Sequence, residues 1–273
     1  MNKNLSFRQR LHNALGSQEV ENVKATHAYL HAMNHSAEEW DTIWDKSEYA
    51  CWAHFFGRMC GFEEVWRGSV PEHDLRILRK WIPLAEQFPE ILNNGIDIRG
   101  IGYCGGLHIL ANSIIEVADD GRSARALYLT PGGTGDIICA KGQRQTGILW
   151  ERYGSDFVYE DGRWLYLHEH VCPDVMSPSA YDKNNWGRDF YERAMNPPPP
   201  PPGGVYQGPN GESKDEKVAG GPLCTEKGPL HRDYSLTQPV QDDVPWPVPY
   251  QTLDDNNSYA KGHNPPPKPP VYD

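Results

Sequence analysis

The sequence predicts an α+β domain, with helices first and a curved antiparallel sheet after, followed by an extended proline-rich arm. Three observations carry this. Apolar residues in the first part of the chain recur at helical spacing, strand-like runs alternate with turn signals between residues 97 and 171, and composition changes abruptly at Asn196, where NPPPPPPGG begins. Of the 24 prolines, 18 lie beyond that point, among many Gly, Asn and Asp, so the segment cannot build a core of its own. The division is therefore a domain over 1–195, compact from about residue 17, and an arm over 196–273.

Ser17 can cap a first helix carrying Val20, Val23, His27, Leu30 and Met33 near the 3.6-residue period, ending near Asn34. Ser36-Ala-Glu-Glu39 reads as a capping box opening a second helix, with Trp40, Ile43 and Trp44 inward. A third helical region follows Ser69-Val-Pro71, carries Leu75, Leu78, Ile82 and Leu84, and stops at Asn94-Gly95. Tyr49 to Val65 mixes strand-like aromatics with Gly57 and Gly61 and has no assignment from pattern alone. Strands follow near 97–103, 107–117, 123–130, 144–159 and 163–171. Their separators are Gly105-Gly106, Asp119-Asp120-Gly121, Pro131-Gly132-Gly133 and Glu160-Asp161-Gly162, which makes an antiparallel meander.

A net charge of -11 argues against nucleic-acid and anionic-membrane partners, which need clustered Lys and Arg. A neutral or cationic small-molecule substrate, or another protein, fits better. The start of the chain lacks the apolar core of a secretory signal, and no stretch is apolar enough to span a bilayer, so the expected location is cytoplasmic. The six cysteines are irregularly spaced without a CxxC pair and read as reduced thiols. The arm reads either as a solvated polyproline segment or as a strap on the domain or on a neighbouring subunit, which makes a homo-oligomer. VPWPVPY, residues 244–250, is its best docking segment.

IIEVADDGRSARALYL (114–129) followed by YGSDFVYEDGRWLYLHEH (153–170) resembles the SnoaL-like branch of the nuclear transport factor 2-like superfamily. That branch repeats a strand ending in IEV, an acidic-Gly turn, a small-residue strand finishing in an aromatic, and a later hairpin of this kind. The resemblance covers about residues 17–175. It implies a cone, a strongly bent sheet around helices with an apolar pocket at the open end, and chemistry without metal or organic cofactor. Members include scytalone dehydratase, ketosteroid isomerase and bile-acid 7α-dehydratase, and non-catalytic members also exist.

The resemblance gives His108, eight residues before Glu116, the role of base or proton shuttle. It gives Tyr29, in AYLHAMNHSAEEWDTIW (28–44), the role of a catalytic tyrosine, although Met33-Asn34 stands where an acidic partner recurs. Alternation places His168 and His170 on one face of the last strand with Trp164 and Tyr166, as two proton-transfer positions on an aromatic wall. An HxH pair is also a metal-ligand spacing, with His54 or Glu169 as a third donor. Arg152, beside Trp150 on its strand face, either pairs with a carboxylate or anchors a substrate oxygen. Trp52, His54, Tyr103 and Tyr128 complete the expected lining.

The expected function is a cofactor-independent lyase that eliminates water or formaldehyde from a hydroxylated aromatic or polycyclic molecule. Paired acid-base groups of this kind contribute roughly 10²–10⁴-fold each. An isomerase of the same fold and a non-catalytic binding or assembly module are the alternatives.

Overall fold

The computed structural model describes residues 5–32, 35–54, 57–66, 109–134, 147–177, 225–227 and 244–272. It shows an α+β fold. Helix α1 (Phe7–Ala32) and short helix α2 (Ser36–Thr42) precede β1 (Cys51–His54), β2 (Gly57–Cys60), β3 (Ala111–Val117), β4 (Ser123–Thr134), β5 (Gly147–Glu160), β6 (Arg163–Ser177) and β7 (Glu226–Lys227). The seven strands form one sheet in the order β3-β4-β5-β6-β1-β2-β7. All neighbours are antiparallel except β1 and β6, which run parallel, so the expected meander holds for β3 to β6 and is extended by an earlier hairpin. That hairpin comes from the unassigned stretch beginning at Tyr49. The predicted third helix and the strand at 97–103 lie outside the described residues.

Helix α1 starts ten residues before the predicted cap. Ser6 and Gln9 form the capping box, with Gln9 N–H donating to Ser6 Oγ at 3.3 Å and Ser6 N–H donating to Gln9 Oε1 at 2.8 Å. Ser17 instead sits inside the helix, its hydroxyl donating to the Asn13 carbonyl at 2.9 Å. The predicted box at Ser36 also gives way: His35 is the N-cap residue and makes no side-chain cap, while Glu39 turns inward and is buried.

Two features of the sheet follow from local chemistry. Pro131-Gly132-Gly133, predicted as a turn, lies within β4 and pairs with Trp150, Leu149 and Ile148. Among the described residues, pairing of β4 with β3 stops at Leu129, two residues before Pro131, and proline is tolerated where the ladder needs no N–H. The β5–β6 turn is as predicted, with Asp161 and Gly162 at φ 49° and 83°, the left-handed pair a two-residue hairpin needs.

The two faces of the sheet are covered differently. Helix α1 lies on one face, burying Val20, Trp44, Tyr128, Tyr153, Phe157, Trp164 and Tyr166 in the main core. Residues 244–272 of the arm lie on the other, where Tyr250 and Leu253 cover Val158, Leu165 and Leu167, and Val244 and Tyr259 cover Cys172. Within VPWPVPY, Val244, Pro247 and Tyr250 are buried while the residues between are exposed, a repeat of three that matches a polyproline II helix. The end of the arm is tied by Val271 N–H to the Asp120 carbonyl at 3.0 Å and by Tyr272 hydroxyl to Asn13 Oδ1 at 2.5 Å.

Candidate functional site

On the helix side the buried stripe of α1 reads Gly16, Val20, Lys24, His27 and Leu30. A lysine therefore occupies a core position. Lys24 is fully buried, its ammonium donates to Glu169 Oε1, and it lies 4.1 Å from the Tyr153 ring centroid, with Tyr128 at 5.2 Å and Tyr166 at 5.6 Å. Cation–π attraction and the ion pair offset part of the cost of removing the charge from water. The Ser155 hydroxyl donates to the other Glu169 oxygen. Beside this pair, the Tyr153 hydroxyl donates to Glu151, and Glu39 accepts from His27 Nδ1 at 2.7 Å and from Trp44 Nε1 at 3.2 Å.

Burial sets the proton affinities of this cluster. It pushes Lys24 down from its ordinary range, against the opposing pull of Glu169, Glu39 and Glu151. It pushes Tyr128, Tyr153 and Tyr166 up, and neighbouring carboxylates add to the effect: Glu21 on Tyr128, Glu151 on Tyr153 and Glu169 on Tyr166. The result is an amine whose hold on its proton is weakened by burial, set among phenols kept neutral inside an aromatic shell.

Several predicted residues are placed elsewhere. Alternation breaks at β6 because the register shifts between Asp156 and Phe157: Phe157 pairs with Tyr166 and Asp156 with His168, leaving Leu167 as an extra residue. Every side chain beyond it changes face. His168 and His170 therefore leave the wall formed by Trp164 and Tyr166, and Glu169 joins it. His168 Nδ1 donates to Asp156 Oδ2 at 2.8 Å and Nε2 approaches the carbonyls of Tyr49 at 3.2 Å and His263 at 3.1 Å, under the arm. His170 pairs across the ladder with Gly154, whose missing side chain faces Val244 and Tyr259. Both histidines thus belong to the arm side.

Tyr29 is 71% exposed on α1, away from the buried stripe, because it lies two residues past His27. Arg152 takes the first of its two expected roles, since its guanidinium grips Asp174 through contacts of 2.8 and 3.0 Å. Trp150 is 44% exposed. Tyr128, Trp164 and Tyr166 do line the helix-side interior. Trp52 packs against that core, and His54 Nε2 comes within 3.9 Å of Glu151. His54 is not grouped with His168 and His170 as a metal cluster among the described residues. His108 and Tyr103 lie outside the described residues.

Sequence reasoning missed Lys24 and Glu169. Lys24 carried a legible signal, a charged residue four after Val20 and three before His27 on an otherwise apolar stripe. Glu169 carried none, since its face depends on the bulge. A surface groove of about 420 Å³ lies between Trp44–Tyr49 and Pro265–Pro266; it is lined by neither Lys24 nor Glu169.

The chain is similar at low identity to several solved structures. No family profile matches the chain, and no curated protein matches its sequence. A provisional scytalone dehydratase from Novosphingobium aromaticivorans is 14% identical, covering 63% of this chain and 91% of its own, at a TM-score of 0.41. Hexachlorocyclohexane dehydrochlorinase LinA-type3 from Novosphingobium barchaimii is 14% identical over 64% of this chain and 96% of its own, at 0.40. A nuclear transport factor 2-like superfamily protein from Salmonella enterica is 16% identical over 57% and 89%, at 0.34. Overlap at this level assigns no activity.

Proposed function

We propose that this protein is a cofactor-independent lyase acting on a hydroxylated aromatic or polycyclic small molecule, with its acid-base groups on the helix side of the sheet. The observation that carries the reading is the fully buried Lys24–Glu169 pair set among three tyrosine rings. Eliminating water or formaldehyde requires one proton removed and one delivered, with no oxidant and no net charge change. His108 is assigned as the base, taking the C–H proton for loss of water or the hydroxymethyl O–H proton for loss of formaldehyde. Lys24 returns a proton to the departing hydroxyl in the first case and to the carbon left by the broken C–C bond in the second, while Glu169, itself held by Ser155, keeps the amine in place. Tyr128, Tyr153, Trp164 and Tyr166 supply flat apolar surface for a ring.

The test uses the full chain and a panel of aryl substrates bearing a benzylic hydroxyl or a hydroxymethyl group, with loss of water or formaldehyde followed by mass spectrometry. Lys24→Met and His108→Ala should each lower turnover by about 10²–10⁴-fold. Normal turnover in a folded variant of either kind would remove that residue from the mechanism. A second reading, a non-catalytic binding module, is favoured by the internal pairing of Lys24, Glu169 and Ser155. It requires that no bound compound be converted.

A further inference from the structure

Cys51 and Cys60 face one another across the β1–β2 ladder, on the side of the sheet that reaches the arm. Cys60 Sγ lies 3.3 Å from Nε2 of His263, an arm residue, and the three donor atoms of Cys51, Cys60 and His263 all fall within 4.8 Å of one another. A fourth donor is close: Glu226 Oε1, on β7, is 3.7 Å from the same Nε2. Four ligands around a zinc ion, with bonds of about 2.0–2.3 Å, stand about 3.3–3.8 Å apart. The Cys60–His263 and His263–Glu226 separations lie in that range, while Glu226 stands outside the three-residue group and has to close toward the two sulfurs as the ion enters.

We propose that Cys51, Cys60, His263 and Glu226 form a binding site for zinc(II), which fastens the arm to the β1–β2–β7 end of the sheet. Two sulfurs, an imidazole and a carboxylate suit a borderline-soft tetrahedral ion and do not suit magnesium or calcium. The outer shell is in place as well. Arg58 Nη1 donates to Glu226 Oε2 at 2.9 Å, which orients the carboxylate with Oε1 toward His263 and balances the negative charge of the ligand set. The Cys60 N–H donates to Thr225 Oγ1 at 3.0 Å, fixing β7 beside β2. Zinc is held by thiolates, so its entry releases the two thiol protons to solvent, with no change of oxidation state.

The ligands come from three separate stretches of chain, β1–β2, β7 and the arm, so the ion cross-links segments about 200 residues apart in sequence, as Cys60 and His263 are. The site is independent of the Lys24 cluster and of the lyase reading.

The experiment uses the full chain, reduced and stripped with a chelator, then titrated with cobalt(II) and afterwards with zinc(II). One equivalent of cobalt should bind with thiolate-to-metal charge-transfer absorption, bleach on zinc addition, and raise the thermal midpoint. Cys60→Ser and His263→Ala, checked by far-ultraviolet circular dichroism for an intact fold, should each lose the charge-transfer band. Arg58→Ala should keep it and weaken binding by about 10–100-fold. Reduced protein that binds no metal overturns the proposal, and so does binding that survives unchanged in the Cys60 and His263 variants.

Discussion

The two faces of β4, β5 and β6 each bury an ion pair, and they bury it in opposite surroundings. On the helix side, Lys24 and Glu169 sit among tyrosine rings, with few other polar partners. On the arm side, Asp156 takes Arg125 Nε at 3.3 Å, His168 Nδ1 at 2.8 Å, the Ser258 hydroxyl at 3.2 Å and the Tyr259 N–H at 2.7 Å. Arg125 in turn lies 4.2 Å from the Tyr259 ring. A carboxylate so fully used is a fastener for the arm. Asp156, His168 and Ser258 are the residue types of a hydrolase triad, yet the serine sits on the aspartate and the Nδ1 side, away from Nε2, so no activated nucleophile results. Composition of a cluster does not reveal its role; the partners of each atom do.

The sharpest way to break this comparison is to replace both members of the helix-side pair. Lys24→Met with Glu169→Leu should lower turnover to about one per cent of wild type or less while leaving stability unchanged or raised by up to about 4 kcal/mol, since apolar replacement of a buried pair is often tolerated. Kinetics and urea unfolding on the same preparation measure both. A large loss of stability instead would make the two faces alike. Asp156→Asn should cost about 3–5 kcal/mol in urea unfolding, because Arg125 is left buried beside a neutral group. It should also make residues 244–272 sensitive to protease at native conditions.

Alkaline titration compares the faces without mutation. Tyr128, Tyr153 and Tyr166 on the helix side and Tyr250 on the arm side all have affinities raised by burial above the ordinary 10.0. A raised folded value means stability that is complete below pH 10 and is lost as pH climbs past it toward the folded values. Lys24, shifted the other way, adds stability as pH rises to its ordinary 10.5 and nothing beyond. Phenolate absorbance from these four should therefore appear together with loss of circular dichroism, and Tyr250→Phe should remove the smaller part of the effect. The mildest perturbation is Gly154→Ala. A Cβ there would stand 2.5 Å from Val244 and 2.7 Å from the Tyr259 ring, so the arm must shift, at about 1–3 kcal/mol by chemical denaturation.

Much of the fold was legible because it rests on local signals. The Asp161-Gly162 turn, the strands on either side of it and the inward Trp40, Ile43 and Trp44 follow from turn chemistry and spacing alone. The start of α1 was misplaced at Ser17 although Ser6-Phe7-Arg8-Gln9 carried the signal, a capping box with glutamine in place of glutamate. The site was harder to read for a geometric reason. Alternation assigns faces only while register is unbroken, and the extra residue Leu167 exchanges His168 and His170 for Glu169 on the aromatic wall. Asp174, the extra residue at the second irregularity of β6, likewise becomes the partner of Arg152. The Cys51–Cys60 pairing needed the rungs of the ladder to be counted from His54 and Gly57, which composition cannot do.

The arm and the sheet keep different time. Val244, Pro247 and Tyr250 meet the protein every third residue, at about 3.1 Å per residue, whereas strands present a face every second residue, at about 3.3 Å per residue. Such a contact works as a vernier whose marks coincide only at intervals. Side-chain changes at Trp246 or Val248, which stand clear of the sheet, should pass unnoticed. Adding or removing a single residue between Val244 and Tyr250 would put every later mark out of step, as far as the ties at Val271 and Tyr272.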